Sequence, residues 1–212
     1  MFVPNFGTMT KDKDFSTQDK ILKAAKTVFF QKGYDGTRTR DIATEANVNL
    51  AMLNYHFKSK EQLFELVMMD SLQNFISVIR EVLNDPNTDF ETKLELIITK
   101  YIDKFREEPQ LPFFVISQLH RSPETFARIT EKSEDIANSV FLKQYQEGLL
   151  SGKYVRINFV HILMNLGGLI VFPFLISSAL QKVANLSSSQ LNELMQERKQ
   201  LVFYWLKQMI LK

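Results

Sequence analysis

The tract from Thr37 to Leu63 constrains the fold of this chain more than any other segment. It spaces apolar residues as two short helices joined by a tight turn would, and most of its other positions are polar. The apolar residues are Ile42, Ala43 and Ala46 in the first helix, Val48 in the turn, and Leu53 and Phe57 in the second helix. Two short helices that share one apolar side leave the other side free to meet a duplex. The tract therefore predicts a DNA-binding helix-turn-helix.

Helical spacing continues on both sides of this tract. A first helix is predicted up to Lys32, where Gly33 supplies the left-handed residue that ends it. The short helices are predicted over residues 40–46 and 50–56, and a long helix follows to about Leu83. The N-cap candidates, in chain order, are Ser16 or Thr17, Thr39, Asn49 and Ser59, the last forming a capping box with Gln62.

The second half of the chain is also predicted to be helical, without a convincing strand pattern or an internal repeat. Thr88 and Glu91 form a second predicted capping box, and the helix behind it ends before Pro109. Further helices are predicted from Leu111 to His120, from Ser122-Pro123 to Gly152, over Ile157 to Gln181, and after Ser187. The predicted fold class is therefore all-α.

Residues 157–181 contain no charged side chain and are long enough to cross a bilayer. Against a membrane span, Gly167-Gly168 and Pro173 interrupt the segment, which also lacks a clear aromatic and basic flank. The preferred interpretation is a helix buried on all sides, partly by its own domain and partly by a second subunit. The alternative is a protein that this segment anchors in a membrane. Under the preferred interpretation, no membrane partner is expected.

Composition limits the possible chemistry. The chain has no cysteine, which excludes disulfides and thiolate metal sites, and its histidines, His56, His120 and His161, are too few for a histidine-rich metal site. No cofactor or metal is expected. The sequence also shows no phosphate-binding glycine loop, nucleophile elbow or catalytic triad, so an enzyme is not expected. Residues 1–15 lack the features of a secretory signal, and a cytoplasmic location is expected.

The net charge of +2 is unevenly distributed. Residues 1–60 hold ten Lys and Arg against six Asp and Glu, which gives +4, whereas residues 61–212 hold sixteen against eighteen, which gives −2. The basic excess therefore lies in the segment with the helix-turn-helix pattern, where attraction to phosphates would need it.

At these residues the chain resembles the N-terminal domain of the TetR family of transcriptional regulators. The resemblance extends over Thr17 to Leu63 and is carried by Ile21, Ala24-Ala25, Phe29-Phe30, Gly33-Tyr34, Gly36-Thr37, Asp41-Ile42-Ala43, Ala46, Val48, Leu53, Tyr55-His56-Phe57 and Lys58 to Leu63. The chain departs from the family at Asn47, where Gly is usual, at Ala51, where Gly or Pro is common, and at Asn54, where an aromatic residue is usual. Asn47 can adopt the left-handed conformation that the turn requires.

The resemblance implies a domain organisation and a function. A flexible arm at residues 1–15 precedes a three-helix DNA-binding domain at 16–62, and a larger helical domain at 63–212 binds a ligand and forms a homodimer through its last two long helices. The implied protein is a ligand-responsive transcriptional regulator, a repressor by the commoner mode of the family. It binds a palindromic operator and is released by a small apolar or amphipathic molecule. The alternatives are the membrane-anchored regulator and a helical scaffold without DNA binding.

Eleven residues are candidates for contacts with double-stranded DNA. Thr39 and Arg40 open the first short helix, where a hydroxyl, a guanidinium and backbone N–H groups can hold a phosphate. Arg38, just before them, is either a solvated side chain or a further phosphate contact. His56 and Lys60 resemble the phosphate contacts of the family. The start and exposed face of the recognition helix, whose side chains can reach base edges, thymine methyls or phosphates, hold Asn49, Leu50, Ala51, Met52, Asn54 and Tyr55.

A small-molecule effector is the second expected partner. Candidates for the apolar lining of its pocket are Phe105, Phe113, Phe114, Phe126, Phe141, Tyr145, Met164 and Phe172. Candidate polar anchors are Gln118, His120, Arg121, His161 and Asn165. For each of these residues, a structural place in the core or on the surface is the alternative.

Overall fold

The structure is a computed structural model that describes residues 16–121 and 138–212. The arm expected at residues 1–15 and the helix start expected at Ser122-Pro123 lie outside the described residues. The all-α prediction is confirmed, because strand pairing in the described part is limited to one isolated antiparallel bridge between Tyr154 and Leu211.

Ten helices occupy the described residues. In chain order they are α1 (Thr17–Gly36), α2 (Thr39–Glu45), α3 (Leu50–His56), α4 (Lys60–Asn84), α5 (Phe90–Glu107), α6 (Leu111–Arg121), α7 (Val140–Leu150), α8 (Phe159–Leu175), α9 (Ser177–Val183) and α10 (Ser188–Ile210). The chain divides into two compact units, the first ending at Val67 and the second beginning at Met68. This boundary lies inside α4, five residues after the one suggested by the sequence.

The first unit has a small apolar core in which α1 packs on α2 and α2 packs on α3. Its fully buried side chains are Ile21, Ala25 and Phe29 from α1, Ile42 from α2, Leu53 from α3, Phe57 after it, and Leu63 from α4. The predicted apolar faces of the two short helices therefore point into this core, and their polar faces point away from it.

The predicted N-caps of α1 and α3 are confirmed, whereas α1 ends at Gly36 rather than at the predicted Lys32. The Ser16 hydroxyl accepts a hydrogen bond from the backbone N–H of Asp19 at 3.2 Å, and the Asn49 side-chain oxygen accepts one from the N–H of Met52 at 2.7 Å. Gly33 has a φ of 69°, a left-handed value that breaks the regular helix before a last turn ending at Gly36. Side-chain caps of this kind satisfy backbone donors that would otherwise lack partners.

Two other predicted caps differ in detail. The N-cap of α2 is Arg38 rather than Thr39, which is already the first helical residue. At the start of α4, the Ser59 hydroxyl accepts from the N–H of Gln62 at 3.2 Å, as predicted. The Gln62 side chain accepts from the N–H of Lys58 at 3.1 Å, however, so the reciprocal half of the capping box reaches one residue further back.

The predicted capping box at Thr88 is wrong, because Asp89 is the N-cap of α5. The Asp89 carboxylate accepts a hydrogen bond from the N–H of Thr92 at 2.8 Å. The backbone carbonyl of Thr88 instead accepts from the buried ammonium of Lys93 and from the side-chain amide of Gln144. Thr88 thus ties the loop before α5 to α7 rather than capping a helix.

Helix α5 lies at the centre of the second unit, in contact with α7, α8 and α10. At its start, Phe90 belongs to a buried aromatic cluster with Phe141, Tyr145 and Tyr154. The rings of Phe90 and Phe141 stack with their centroids 4.5 Å apart. This cluster fixes the N-terminal end of α5 against α7 and the segment after it.

The charge-free segment forms two helices rather than the single helix predicted for it. Helices α8 and α9 are bent by 63° at the break between them. Within α8, Pro173 has no N–H to donate to the carbonyl of Leu169, and the Nε of Arg198 on α10 donates to that oxygen at 2.9 Å. No single helix among the described residues is long and apolar enough to cross a membrane, whereas this bent pair has the combined length and composition.

The expected burial of this segment on all sides is only partly provided by its own chain. The buried residues of α8 are Ile162, Ile170, Pro173 and Phe174, whereas Val160, Met164 and Phe172 are each more than half exposed. One side of α8 packs on α5, α6 and α10, and the opposite side presents apolar side chains without a covering element among the described residues.

Candidate nucleic-acid interface and ligand cavity

The turn between α2 and α3 is closed by backbone hydrogen bonds. Asn47 has a φ of 54°, the left-handed conformation that the sequence required of it. Its N–H donates to the carbonyl of Thr44 at 3.1 Å, and the N–H of Val48 donates to the carbonyl of Ala43 at 3.0 Å. Asn tolerates this conformation better than most residues, so the turn keeps its geometry without glycine.

Helix α3 turns one face inward and presents the other to solvent. Leu53 and the following Phe57 are buried, while Tyr55 is 82% exposed. Four of the candidate DNA contacts, Ala51, Met52, Asn54 and Tyr55, are exposed, and Leu50 is half-buried at the start of the helix. A fixed helix with an exposed row of amide, aromatic and apolar side chains has the form that enters a major groove.

Asn49 has a structural task that limits its possible DNA contacts. Because its side-chain oxygen accepts the N–H of Met52, the oxygen holds the first turn of α3 together. Its amide nitrogen makes no hydrogen bond to another described residue and keeps two hydrogens to donate. A contact from Asn49 is therefore expected to use the amide as a donor, toward a phosphate or an acceptor on a base edge.

The start of α2 brings together the candidate phosphate contacts Arg38, Thr39 and Arg40. Arg38 and Arg40 are exposed and Thr39 is half-buried. The N–H of Arg38 donates to the Asp41 carboxylate at 3.2 Å, and Lys32 forms an ion pair with the same carboxylate at 3.0 Å. These contacts hold the pKa of Asp41 below its usual value, and the hydrogen bond from Lys32 is the largest cause.

Lys60 is engaged with the protein backbone, which the sequence did not indicate. Its ammonium donates to the carbonyl oxygens of Tyr34 and Thr37, at 3.0 and 3.2 Å, and lies 4.1 Å from the centroid of the Tyr34 ring. Two of its three hydrogens are therefore used to hold the loop between α1 and α2. The phosphate contact predicted for Lys60 stays a prediction, with one hydrogen left to make it.

A second contact joins the same two elements. The Tyr34 hydroxyl donates to the Glu61 carboxylate at 2.6 Å, and the Tyr34 ring packs edge-on against Phe64 at 4.9 Å between centroids. The hydrogen bond to Glu61, with a further contribution from burial, raises the pKa of Tyr34 to about 12. The same bond lowers the pKa of Glu61. Lys60 and Glu61 thus fasten the start of α4 to the end of α1.

His56 is half-buried at the end of α3. Its ring lies edge-on to Tyr55, with centroids 5.3 Å apart, and 6.4 Å from the ring of Phe57. The residue therefore stands between an exposed and a buried aromatic side chain, and its predicted phosphate contact stays a prediction.

The second unit contains an apolar cavity of about 290 Å³. Its walls come from α4, α5, α6 and α8, and the lining residues are Leu72, Phe75, Ile76, Tyr101, Phe105, Leu111, Val115, Leu163, Leu166, Gly167, Ile170 and Val171. None of these described lining residues carries a charge. We call this space the apolar cavity.

A second cavity of about 510 Å³ also has Phe105 in its wall. Its apolar walls include Pro173, Phe174 and Met195. Its polar lining residues are Arg106, Ser177, Ser188, Ser189 and Asn192. Phe105 lines both cavities, and of the predicted ligand contacts that the structure describes it alone lines either of them.

The other predicted ligand contacts lie elsewhere. Phe114, Phe141 and Tyr145 are buried core residues, the last two in the aromatic cluster at the start of α5. Those exposed to solvent are Phe113, His120, His161, Met164, Asn165 and Phe172, and Gln118 is half-buried. Asn165 donates its amide to the sulfur of Met209 at 3.2 Å. Phe126 lies outside the described residues, as does the side chain of Arg121.

Sequence reasoning missed most of the cavity lining because it selected aromatic and titratable residues. The wall is mostly aliphatic, and its members are spread over four helices from Leu72 to Val171. Besides Phe105, which was a candidate, the exceptions are Phe75, Tyr101 and Gly167. None of these three has a local pattern that distinguishes it from an ordinary helix position. No group of three or more side chains suited to a metal ion occurs in the described part of the chain.

The chain is similar to known bacterial regulatory proteins. Residues 21–67 match the family model described as bacterial regulatory proteins, tetR family. Over 164 residues the chain is 28% identical to "Probable HTH-type transcriptional regulator YttP" of Bacillus subtilis, an alignment that covers 76% of this chain and 78% of that protein.

Over 110 residues the chain is 33% identical to the "Biofilm operon icaADBC HTH-type negative transcriptional regulator IcaR" of Staphylococcus aureus. That alignment covers 52% of this chain and 57% of IcaR, so the chain spans little more than half of that relative. A solved structure of a TetR/AcrR-family transcriptional regulator from Thermobifida fusca matches with a TM-score of 0.62 and 15% identity, over 88% of this chain and 96% of that one. This likeness concerns the fold.

Proposed function

Because the chain belongs to the TetR family of bacterial regulatory proteins and is a transcriptional regulator rather than an enzyme, we propose that it is a repressor released from DNA by a small molecule. It binds a palindromic operator as a homodimer. The effector is small and largely apolar.

The exposed face of α3 is the observation that carries DNA recognition. Leu53 and Phe57 anchor the helix, and Tyr55, Asn54 and Met52 extend from its other side. The excess of four positive charges in residues 1–60 supplies the attraction to phosphates. Repression is supported by the likeness to IcaR, which is named a negative regulator.

Dimerisation is supported by uncovered apolar side chains on α8 and α10. On α8, Val160, Met164 and Phe172 are more than half exposed, at spacings of four and eight residues that put them on one side of the helix. On α10, Tyr204 and Trp205 are 58% and 41% exposed. An apolar surface of this kind on a soluble protein is commonly covered by a partner. A two-fold dimer would pair two α3 helices with two half-sites.

The apolar cavity is the proposed effector site. Its wall includes Leu72 on α4 and Phe105 on α5, so a molecule that enters it contacts α4 directly. We expect binding there to change the spacing of the two recognition helices in the dimer and thereby to weaken the fit to two half-sites.

The proposal is tested by selecting bound duplexes from the genome of the host and measuring the affinity of the selected sequence as salt is varied. We expect a palindrome to be enriched, with an affinity that falls as salt rises. Failure to enrich any duplex with the full-length dimeric protein would contradict the proposal. The alternative, a helical scaffold without DNA binding, predicts that no duplex is enriched.

A further inference from the structure

The apolar cavity has a single polar side chain in its described wall, that of Tyr101. The Tyr101 ring is held edge-on by two other rings, at 4.6 Å from Phe75 and 5.8 Å from Phe105 between centroids. Both neighbours also line the cavity. The three rings form a rigid wall, and the position of the Tyr101 hydroxyl is therefore determined by packing.

The Tyr101 hydroxyl has no hydrogen-bond partner among the described residues. The other buried or half-buried tyrosines of the second unit are paired: Tyr145 donates to the carbonyl of Ile157 at 2.8 Å, and Tyr154 donates to Glu91 at 3.3 Å. Tyr101 is half-buried, and a phenol that is partly removed from water costs free energy unless its hydroxyl has a hydrogen-bond partner. The unpaired hydroxyl of Tyr101 is explained if a molecule bound in the apolar cavity supplies its hydrogen-bond partner.

The hydroxyl of Tyr101 can donate its proton to an acceptor on the occupant. Desolvation raises the pKa of Tyr101, so the phenol keeps the proton that it donates. The described wall contains no Lys, Arg or His to balance an anion and no Asp or Glu to balance a cation. A charged molecule would lose its hydration here without a compensating ion, which is strongly unfavourable.

Resting on the proposed function, we propose that the effector of the apolar cavity is a neutral, largely hydrocarbon molecule with one oxygen acceptor, such as a ketone or ester, that accepts a hydrogen bond from Tyr101. The apolar wall provides affinity through burial of the hydrocarbon. Tyr101 provides orientation and discriminates the acceptor from a plain hydrocarbon of the same shape.

Three probes of similar size test this inference by calorimetry on the full-length protein. They are butyrophenone, which carries a ketone, butylbenzene, which has no acceptor, and 4-phenylbutyrate, which is ionised at about pH 8. Butyrophenone is expected to bind most tightly. The Tyr101→Phe variant is expected to bind it about 2- to 10-fold more weakly and to bind butylbenzene as the wild type does.

Tyr154→Phe is the matched control, because it removes a hydroxyl from a tyrosine of the second unit that does not line the apolar cavity. It should leave all three affinities unchanged. The inference is overturned if butyrophenone binds no better than butylbenzene, if Tyr101→Phe leaves its affinity unchanged, if 4-phenylbutyrate binds most tightly, or if no probe binds. The calorimetric measurement uses no DNA. A failed duplex selection would therefore contradict the proposed repressor function, but it would not change the measured binding of the three probes.

Discussion

The Lys60 ammonium lies 3.0 Å from the carbonyl oxygen of Tyr34 and 4.1 Å from the centroid of the Tyr34 ring. Its second hydrogen bond, to the carbonyl of Thr37, closes the loop that leads into Arg38 and Thr39. Lys60 therefore acts first on the position of the residues that are candidates to meet the DNA backbone. Its positive charge near the start of α4 can also attract a phosphate of bound DNA.

Substitution of Lys60 separates these two roles. Lys60→Gln should weaken the loop and lower the free energy of unfolding by about 1 kcal/mol, the scale of a partly exposed charged hydrogen bond. Operator affinity should fall while the slope of log affinity against log salt changes by much less than one. A residue that only positions the loop changes the geometry of the DNA-binding residues and leaves the number of phosphate contacts unchanged. Each lost phosphate contact, by contrast, lowers the slope of log affinity against log salt by about 0.9.

The matched variant is Arg40→Gln, which removes an exposed cation at the start of α2. It should leave the unfolding free energy within about 0.5 kcal/mol of the wild type and reduce the salt slope by about 0.9 if Arg40 contacts a phosphate. If Lys60→Gln reduces the slope as much as Arg40→Gln without loss of stability, Lys60 is a phosphate contact and the positioning role is wrong.

Asn49 offers a test of DNA readout apart from helix stability. Asn49→Ser keeps an oxygen for the Met52 N–H and should preserve α3, but it removes the amide donor. We expect stability to change by less than about 0.5 kcal/mol and affinity or sequence preference to decline in duplex selection. Asn49→Ala, which lacks both groups, should also lose about 1 kcal/mol of stability. Unchanged selection by Asn49→Ser would mean that Asn49 serves only as a helix cap.

The neighbouring glycines of α8 test whether the apolar cavity binds the effector. A methyl group added at Gly167 or at Gly168 would meet no atom within 4 Å, yet only Gly167 lines the apolar cavity. Both Gly→Ala changes should stabilise the helix by up to about 1 kcal/mol. Gly167→Ala should also reduce the volume open to butyrophenone and weaken its binding.

Gly168→Ala is the control for that variant. Gly168 lies on the exposed side of α8 that carries Met164 and Phe172, each four residues away. Gly168→Ala should leave butyrophenone binding unchanged, because Gly168 does not line the apolar cavity. Equal losses of butyrophenone affinity in both variants would place the binding site outside the apolar cavity.

Titration of Tyr34 tests the junction between α1 and α4. Glu61→Gln should lower the pKa of Tyr34 from about 12 toward its ordinary value of 10, because the hydrogen bond to the carboxylate is the largest cause of the shift. The folded-state pKa is raised, so the stabilisation is complete below pH 10 and is lost as the pH rises toward 12.

The pKa is measured from the NMR shift of labelled tyrosine in wild type and variant. The alkaline loss of stability between these two pH values should be smaller in Glu61→Gln. A Tyr34 pKa that is the same in both proteins would show that Glu61 is not its partner in solution.

Local patterns predicted the first unit well because its features depend on neighbouring residues. Ser16, Gly33 and Asn49 act within three or four residues of their own positions, and the departure at Asn47 was compatible with the left-handed turn. The cap of α5 was misplaced by one residue because Thr88 and Asp89 both carry a side-chain oxygen. The choice between them follows from the Thr88 hydroxyl, which donates to the Asp85 carboxylate and accepts from the Lys93 ammonium.

The second unit depends on distant partners, which local patterns do not contain. The orphaned carbonyl of Leu169 is satisfied by Arg198, 29 residues away in sequence. The apolar cavity joins residues from Leu72 to Val171. Aromatic residues such as Phe141 and Tyr145 were reasonable candidates by type, but they are used for packing at the start of α5.

The account depends most on recognition of a two-fold DNA site by paired α3 helices. The most direct measurement is the stoichiometry and salt dependence of binding to the palindrome selected from the host genome, compared with a duplex that keeps only one half-site. We predict two chains for each palindrome, markedly weaker binding to the single half-site, and affinity that falls steadily as salt rises. Equal affinity for the palindrome and the half-site, or one chain for each palindrome, would contradict the account.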